Sequence, residues 1–378
     1  MSDLSRKRCA TEGSVLPYDI IFKILLLLPA KDLSKLSVVC KTWRRLISSP
    51  YFVQLHTSRC ETVLTFLKHA VESHPNTLSI DDTNNGRFTL FKPTFEKGKR
   101  HIYLSELKDK NIEISDPHVS GFGYILATCD GLVIATNKKG TLLVVNPTTR
   151  KLRQLKQGTI VRNREESYGF VFSIKAREYK AVHLFRDESG HIDSEILSLK
   201  TMCWRGCNVP ASGLFRDFHH KAVAASGVLY WLPGRHGVDY VVSMDIEDEK
   251  FVRKPLPVNS SGLNDRLIEN GGLLTFVGQM TVYRIQLWTL KRNKCEDEWV
   301  KMHTINMDYD ITGLFPLFMT KNGRCLVFQS LNEAILKYDL EEDELEKVLE
   351  KGDQKINYRM SFQHVNTLVS WDNFGPVW

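Results

Sequence analysis

Cys203 and Cys207, separated by three residues, are the one close pair among eight cysteines, and two thiolates at that spacing could supply half of a zinc site. No second pair follows at zinc-like spacing, and the nearest histidines, His219 and His220, are irregularly placed. Neither a metal nor any other cofactor is expected. Acid–base or nucleophilic chemistry would need convergent carboxylates, or a nucleophile beside a base. The acidic runs Asp245 to Glu249 and Glu341 to Glu346 instead fall in turn-like segments, where solvation explains them. The patterns Gly-x-Gly-x-x-Gly, Gly-x-Ser-x-Gly and His-Glu-x-x-His are all absent from the chain. Two segments combine Arg, His and aromatic groups suited to gripping a ligand: Phe215-Arg216-Asp217-Phe218-His219 and Pro233-Gly234-Arg235-His236. Ordinary loop connections account for the same residues. No catalytic residue emerges, and the chain reads as a binder.

Binding needs a scaffold, and hydrophobic patterning divides the chain in two. Between residues 14 and 57 the apolar spacing is helical. A helix from Asp19 to Leu28 sets Ile20, Ile24 and Leu27 on one face and Ile21, Leu25 and Leu28 on another, interrupted by Lys23 alone. A helix apolar all round is normally buried on every side, yet a segment of roughly 40 residues can scarcely enclose one core. Part of that surface therefore expects a partner. Pro29 ends the first helix because proline cannot continue its ladder. Asp32 is placed to cap a second helix carrying Leu33, Leu36 and Val39, and a third runs through Cys40, Trp43, Leu46 and Ile47. Ser49-Pro50 reads as an N-cap and first helical position, opening a short turn with Tyr51, Phe52 and Leu55.

The ordered set Leu16-Pro17-x-Asp19-Ile20, Ile24-Leu25, Leu28-Pro29, Lys31-x-Leu33, Leu36, Val39-Cys40-Lys41-x-Trp43 and Ile47-x-Ser49-Pro50-x-Phe52 resembles an F-box. That module docks onto a Skp-type adaptor of a cullin-RING (SCF) ubiquitin ligase. Asp19 stands where the family more often has Glu, and Ser34 and Ser37 replace the frequent Arg or Leu beside Leu36. The resemblance implies that Leu16, Pro17, Ile20, Ile24, Leu28, Leu36, Cys40 and Trp43 contribute to the adaptor surface, as apolar anchors usually do at an interface. Cys40 then belongs to docking and forms no ubiquitin thioester.

From about residue 78 the hydrophobic period falls to two. Three segments repeat one figure, a glycine-led apolar strand, a strand ending in Asn or Asp, and a third strand after a polar turn. They begin at Gly131, Gly227 and Gly323 and place Asn146, Asp245 and Asp339 in equivalent positions. Weaker copies run from Gly169 to Arg205 and from Gly272 to Ile305. A period of roughly 45 to 55 residues is that of propeller blades built from about four strands. The expected fold is α+β multidomain, a three-helix F-box followed by an all-β propeller-like domain of about six blades. Residues 1–13 form a disordered tail, 14–57 the F-box, 58–76 a helical linker and 77–378 the β domain, with a first blade over Thr77 to Leu107 and a closing strand within Asn357 to Trp371. Asp130-Gly131-Leu132-Val133, Val145-Asn146-Pro147-Thr148-Thr149-Arg150 and Gly227-Val228-Leu229-Tyr230-Trp231 resemble the F-box-associated domains of plant F-box proteins. The paired glycines and fixed Tyr and Trp spacing of kelch repeats are missing.

Composition agrees with a globular binder: 378 residues, 42% hydrophobic and 25% charged. The net charge of +7 is dispersed, with Arg150, Lys151, Arg153 and Lys156 the densest group, so neither a nucleic-acid nor a membrane partner is expected. The cysteines read as free thiols of a reducing compartment, nucleus and/or cytoplasm, and no signal peptide or membrane span is evident. Together the two resemblances imply a substrate-recognition subunit. The F-box would hold the Skp-type adaptor and, through it, cullin and RING subunits, while the β domain binds an unidentified protein target. The alternatives are a non-degradative scaffold, or a small-molecule-binding or enzymatic propeller with a regulatory F-box.

Overall fold

The computed structural model describes residues 16–60, 62–70, 101–108, 111–114, 122–137, 140–160, 166–208, 221–233, 237–261, 264–292, 297–320, 322–331, 334–349 and 361–372. Four short helices come first. Helix α1 (Tyr18–Leu26) starts directly after Pro17, and α2 (Ala30–Leu36) directly after Pro29. Asp32 does not cap α2. It sits inside the first turn, where a carboxylate offsets the positive end of the helix, and pairs with Lys35 at 3.3 Å. Helix α3 (Lys41–Ile47) is capped by Cys40, whose Sγ accepts from the Trp43 amide at 3.4 Å. The expected short turn is a full fourth helix, α4 (Pro50–Thr57), because Ser49 Oγ caps the Phe52 amide and Pro50 presets the first turn. The three-helix expectation thus becomes four.

The strands then follow in order: β1 (Thr62–Ala70), β2 (His101–Lys108) and β3 (Asn111–Ile114); β4 (Phe122–Cys129), β5 (Leu132–Asn137), β6 (Leu142–Asn146) and β7 (Lys151–Gln154); β8 (Glu166–Ser173), β9 (Glu178–Arg186), β10 (Ile192–Ser198) and β11 (Cys203–Gly206). Next come β12 (Val223–Ala225), β13 (Val228–Trp231), β14 (Tyr240–Asp245) and β15 (Lys250–Pro255); β16 (Arg266–Asn270), β17 (Leu273–Thr281), β18 (Arg284–Arg292) and β19 (Asp297–Asn306); β20 (Leu314–Met319), β21 (Cys325–Ser330), β22 (Ile335–Asp339) and β23 (Glu344–Leu349); and last β24 (Ser361–Val365). Five four-stranded antiparallel sheets are each built from consecutive strands, and a sixth has the order β24-β1-β2-β3. The innermost strands β24, β4, β8, β12, β16 and β20 adjoin one another around a closed ring. In chain order the blades are numbered from the composite one.

Residues 58–76, expected as a helical linker, contain β1. Thr62, Val63, Thr65 and Phe66 favour extended backbone, and pairing with β2 on one side and β24 on the other completes both edges of the strand. The first blade therefore starts before residue 77, and its residues 71–100 lie outside those described, as does the 1–13 tail. The repeated sequence figure has a local cause. Asp130 and Gly131 (φ 47° and 81°), like Ser226 and Gly227 (φ 46° and 78°), form the two-residue mirror-image turns that match strand twist. At the other repeated position Asn146, Asp245 and Asp339 accept amides two residues on, from Thr148, Glu247 and Glu341, at 2.9, 2.9 and 3.0 Å. These are Asx turns.

Cores lie between neighbouring blades. Leu132, Val144, Phe170, Ala181 and Leu197 form one, and Val182, Leu229, Trp231, Val242 and Met244 the next. The helices enclose their own small core of Leu25, Leu26, Leu33, Leu46, Ile47 and Phe52, closed at its base by Leu368 from just beyond β24. Val53 of α4 also packs against the core between blades two and three. Thr62 pairs with Val365, and Val365 in turn abuts Gly131, so the chain enters the propeller on the face of the Asp130-Gly131 turn. The connections between blades lie at the opposite ends of the strands.

Candidate docking face

Helix α1 sorts its apolar residues into two sets, as its spacing requires. Ile20, Ile24 and Leu27 are 41%, 47% and 76% exposed, whereas Leu25 and Leu26 are buried and Ile21, Phe22 and Leu28 pack on the helical core. Leu16 and Tyr18 extend the exposed stripe at its start, and Val38 and Val39 stand out from the α2–α3 connection. Eight of the 19 exposed large apolar side chains among the described residues fall between Leu16 and Tyr51. A lone exposed Leu is ordinary, but a contiguous set marks an interaction surface.

Among the expected anchors, Leu16, Pro17, Ile20, Ile24 and Cys40 are exposed. Leu28, Leu36 and Trp43 are half-buried against the module's own core. Leu27, Val38 and Val39 are exposed too, outside the expected anchor set. Leu27 was legible as the residue seven beyond Ile20, and the β-branched Val38-Val39 pair follows a helix end without entering the next helix. Beneath the stripe Phe22 meets Phe52 edge-on at 5.4 Å and stacks on Tyr51 at 5.9 Å. His56 Nε2 lies 2.8 Å from the Leu28 carbonyl, tying the end of the α1 turn to α4. Burial pushes the His56 pKa below its ordinary value, with the nearby Arg59 charge acting in the same direction and the Leu28 carbonyl opposing.

Elsewhere the charged residues fasten the ring. The acidic turns are more than solvated: Glu247 accepts from Ser173 Oγ, Ile174 N and Lys175 N of the preceding blade, at 2.9, 2.6 and 3.2 Å. Glu249 holds Lys180 and Arg205 of that blade, and Arg324 is fanned across Asp339, Glu341 and Glu342. The basic cluster also has a structural use. Lys151 Nζ donates to Ser370 Oγ at 3.3 Å and Arg153 lies 3.5 Å from Asp372, clipping the segment that follows β24. Cys203 is exposed and Cys207 half-buried. The segments 215–219 and 234–236 lie outside the described residues.

One buried ionic group had no sequence signal. His183, fully buried in β9, places Nδ1 2.8 Å from Glu195 and Nε2 2.8 Å from Glu166, with Tyr168 stacked on its ring at 4.3 Å. Burial opposes its charge, but hydrogen bonds and the two carboxylates outweigh that and raise its pKa. Burial likewise opposes the Glu195 charge, and bonds from His183 and Thr159 overcome it, lowering the Glu195 pKa. The ion triplet ties together three strands of blade three and, through the Thr159 amide at 2.8 Å, the connection before it. These three residues come from separate strands, so no local motif announces them.

The architecture is a helical module with an uncovered apolar stripe, joined to a ring of four-stranded blades. The F-box associated beta propeller domain family matches residues 83–371, and the F-box domain family residues 14–55. The chain belongs to the F-box associated beta propeller family and carries an F-box at its N-terminal side. A putative F-box/kelch-repeat protein of Arabidopsis thaliana is 28% identical over 317 residues, spanning 77% of this chain and 71% of its own length. A second is 25% identical over 391 residues, spanning 89% and 86%. The F-box protein CPR1 of the same plant is 24% identical over 367 residues, spanning 87% and 83%.

Proposed function

We propose that this chain is the substrate-receptor subunit of an SCF ubiquitin ligase. Its F-box would dock a Skp-type adaptor and thereby cullin and RING subunits, and its propeller would hold a protein target. The observation that carries this reading is the stripe of Leu16, Ile20, Ile24 and Leu27, joined by Val38 and Val39, left uncovered by a module whose core is already closed from below. Such surface costs free energy in water and is recovered when a partner covers it. The chain itself needs no catalytic group. Tethering raises the local concentration of a target lysine at a ubiquitin thioester carried by another subunit. Cys40 is committed to capping α3. The complex would act in nucleus or cytoplasm.

The test is calorimetric titration of the purified chain with a purified Skp-type adaptor, comparing wild type with Ile24→Asp/Leu27→Asp. Both side chains are exposed, and thermal unfolding of the variant checks that the fold is retained. Loss of binding by 100-fold or more is expected, and undiminished binding would sink the reading.

A further inference from the structure

Residues 307–313 carry the chain from blade five to blade six on the face away from the helical module. Backbone hydrogen bonds fasten this bridge to both blades. Met307 donates to the Tyr283 carbonyl at 2.9 Å, Ile311 to that of Val282 at 2.8 Å, and Leu331 to that of Gly313 at 2.9 Å. The Asn264 amide reaches the Thr312 carbonyl from below, and Asp310 accepts from Thr312 N and Oγ1 at 2.8 and 2.6 Å. The bridge sends Met307 and Ile311 into the core beneath it, but Tyr309 on the bridge and Val282, Tyr283 and Leu331 on the adjoining turns are exposed, Leu331 at 71%. Beside them opens a cleft of about 610 Å³ lined by Thr281, Tyr283, Arg284, Asn306, Met307 and Asp308.

The charges around this apolar ridge select its occupant. Asp308 and Asp310 are exposed on the bridge, and Arg284, which lines the cleft, directs Nε at Asn306 Oδ1, 3.0 Å away. At the ridge itself the exposed carboxylates of Asp308 and Asp310 favour peptide cations, and the neighbouring exposed Val282, Tyr283, Tyr309 and Leu331 favour apolar side chains beside them. Tyrosine faces attract Lys and Arg as well as aliphatic groups. A rigid ridge loses little conformational freedom on binding. Resting on the substrate-receptor reading, we propose that this bridge is the docking site for the target's recognition segment, an extended peptide carrying Lys or Arg beside aliphatic residues.

A random octapeptide phage library panned against the full chain tests this. Enriched sequences should combine Lys or Arg with Leu, Ile or Val. As synthetic peptides they should bind at least tenfold more weakly to Tyr283→Ala/Tyr309→Ala and at least threefold more weakly to Asp308→Asn/Asp310→Asn, with adaptor affinity unchanged in both variants. Enrichment of acidic sequences, no enrichment, or indifference to all four substitutions overturns the proposal, as does a concentration-dependent dimer that the tyrosine substitutions abolish. A chain that selects basic apolar peptides at this bridge but binds no adaptor overturns the receptor reading and leaves the site standing.

Discussion

Asn146 donates its side-chain amide to the carbonyl of Val369, 223 residues further along the chain, at 2.7 Å. The same nitrogen serves the Thr367 carbonyl at 3.1 Å, and Oδ1 accepts from the Thr148 and Thr149 amides at 2.9 and 3.1 Å. One buried side chain thus forms the turn after β6 and latches the segment that follows β24.

Asn146→Ala should be among the more damaging substitutions in the propeller. Each buried group left without a partner costs about 1–3 kcal/mol, so a loss of about 3 kcal/mol or more is expected in urea unfolding. Asn146→Asp keeps the acceptor of the turn but sets a buried carboxylate oxygen against the Val369 and Thr367 carbonyls, and should cost at least as much as Ala.

Gly131→Ala should strain the same closure from the other side. At φ 81° a side chain is disfavoured, and a Cβ there would stand 2.3 Å from Thr367 Oγ1 and 2.4 Å from the Val365 carbonyl oxygen. Backbone strain and overpacking each cost about 1–3 kcal/mol. The tail should become the first site of limited proteolysis. Because both residues act on 365–369, Gly131→Ala and Asn146→Ala should destabilise less together than the sum of their separate effects.

The pH dependence should have opposite signs in the two halves. The raised pKa of His183 means that its contribution is fully present below about 6.5, the ordinary value, and is lost as pH rises through the folded value. The stability gap between wild type and His183→Gln should therefore narrow as pH rises through the folded value. His56 is depressed, so its contribution is present above about 6.5 and is lost as pH falls through the folded value. Histidine NMR titration should place His56 below 6.5 and His183 above it, and the reverse order would refute both assignments.

Exposed and enclosed leucines of the F-box should separate docking from folding. Leu33 is completely buried, and Leu33→Ala should cost about 2–5 kcal/mol of stability. Leu27→Ala should leave stability within about 0.5 kcal/mol. If Leu27 is an interface anchor it should weaken adaptor binding by about 2 kcal/mol, roughly 30-fold. Thermal unfolding and calorimetry on the two variants distinguish the roles.

Much of this was legible where local chemistry decides structure. Gly131, Gly227 and Asn146 announced their turns because few residues adopt those conformations or cap them, and the spacing of Ile20, Ile24 and Leu27 announced a face. The strand at 62–70 was not legible, since its pairing partners lie at 101–107 and 361–365 and long-range pairing overrode an apparent helical continuation. The same holds for His183, Glu166 and Glu195, and for Arg153 with Asp372. Distant residues meet only once the ring exists. The split among the expected anchors, with Leu28, Leu36 and Trp43 turned inward, depended on how four helices pack, which a single periodicity does not specify.

Leu368 sits in the helical core and β24 closes the ring, so both halves are finished by a segment synthesised after every other element described. A chain interrupted before residue 361 would carry a complete F-box sequence on an open propeller, with the floor of its helical core missing. Such a fragment should compete more weakly than the finished protein for any partner of the exposed stripe. Truncated messages should therefore yield unstable chains rather than dominant inhibitors.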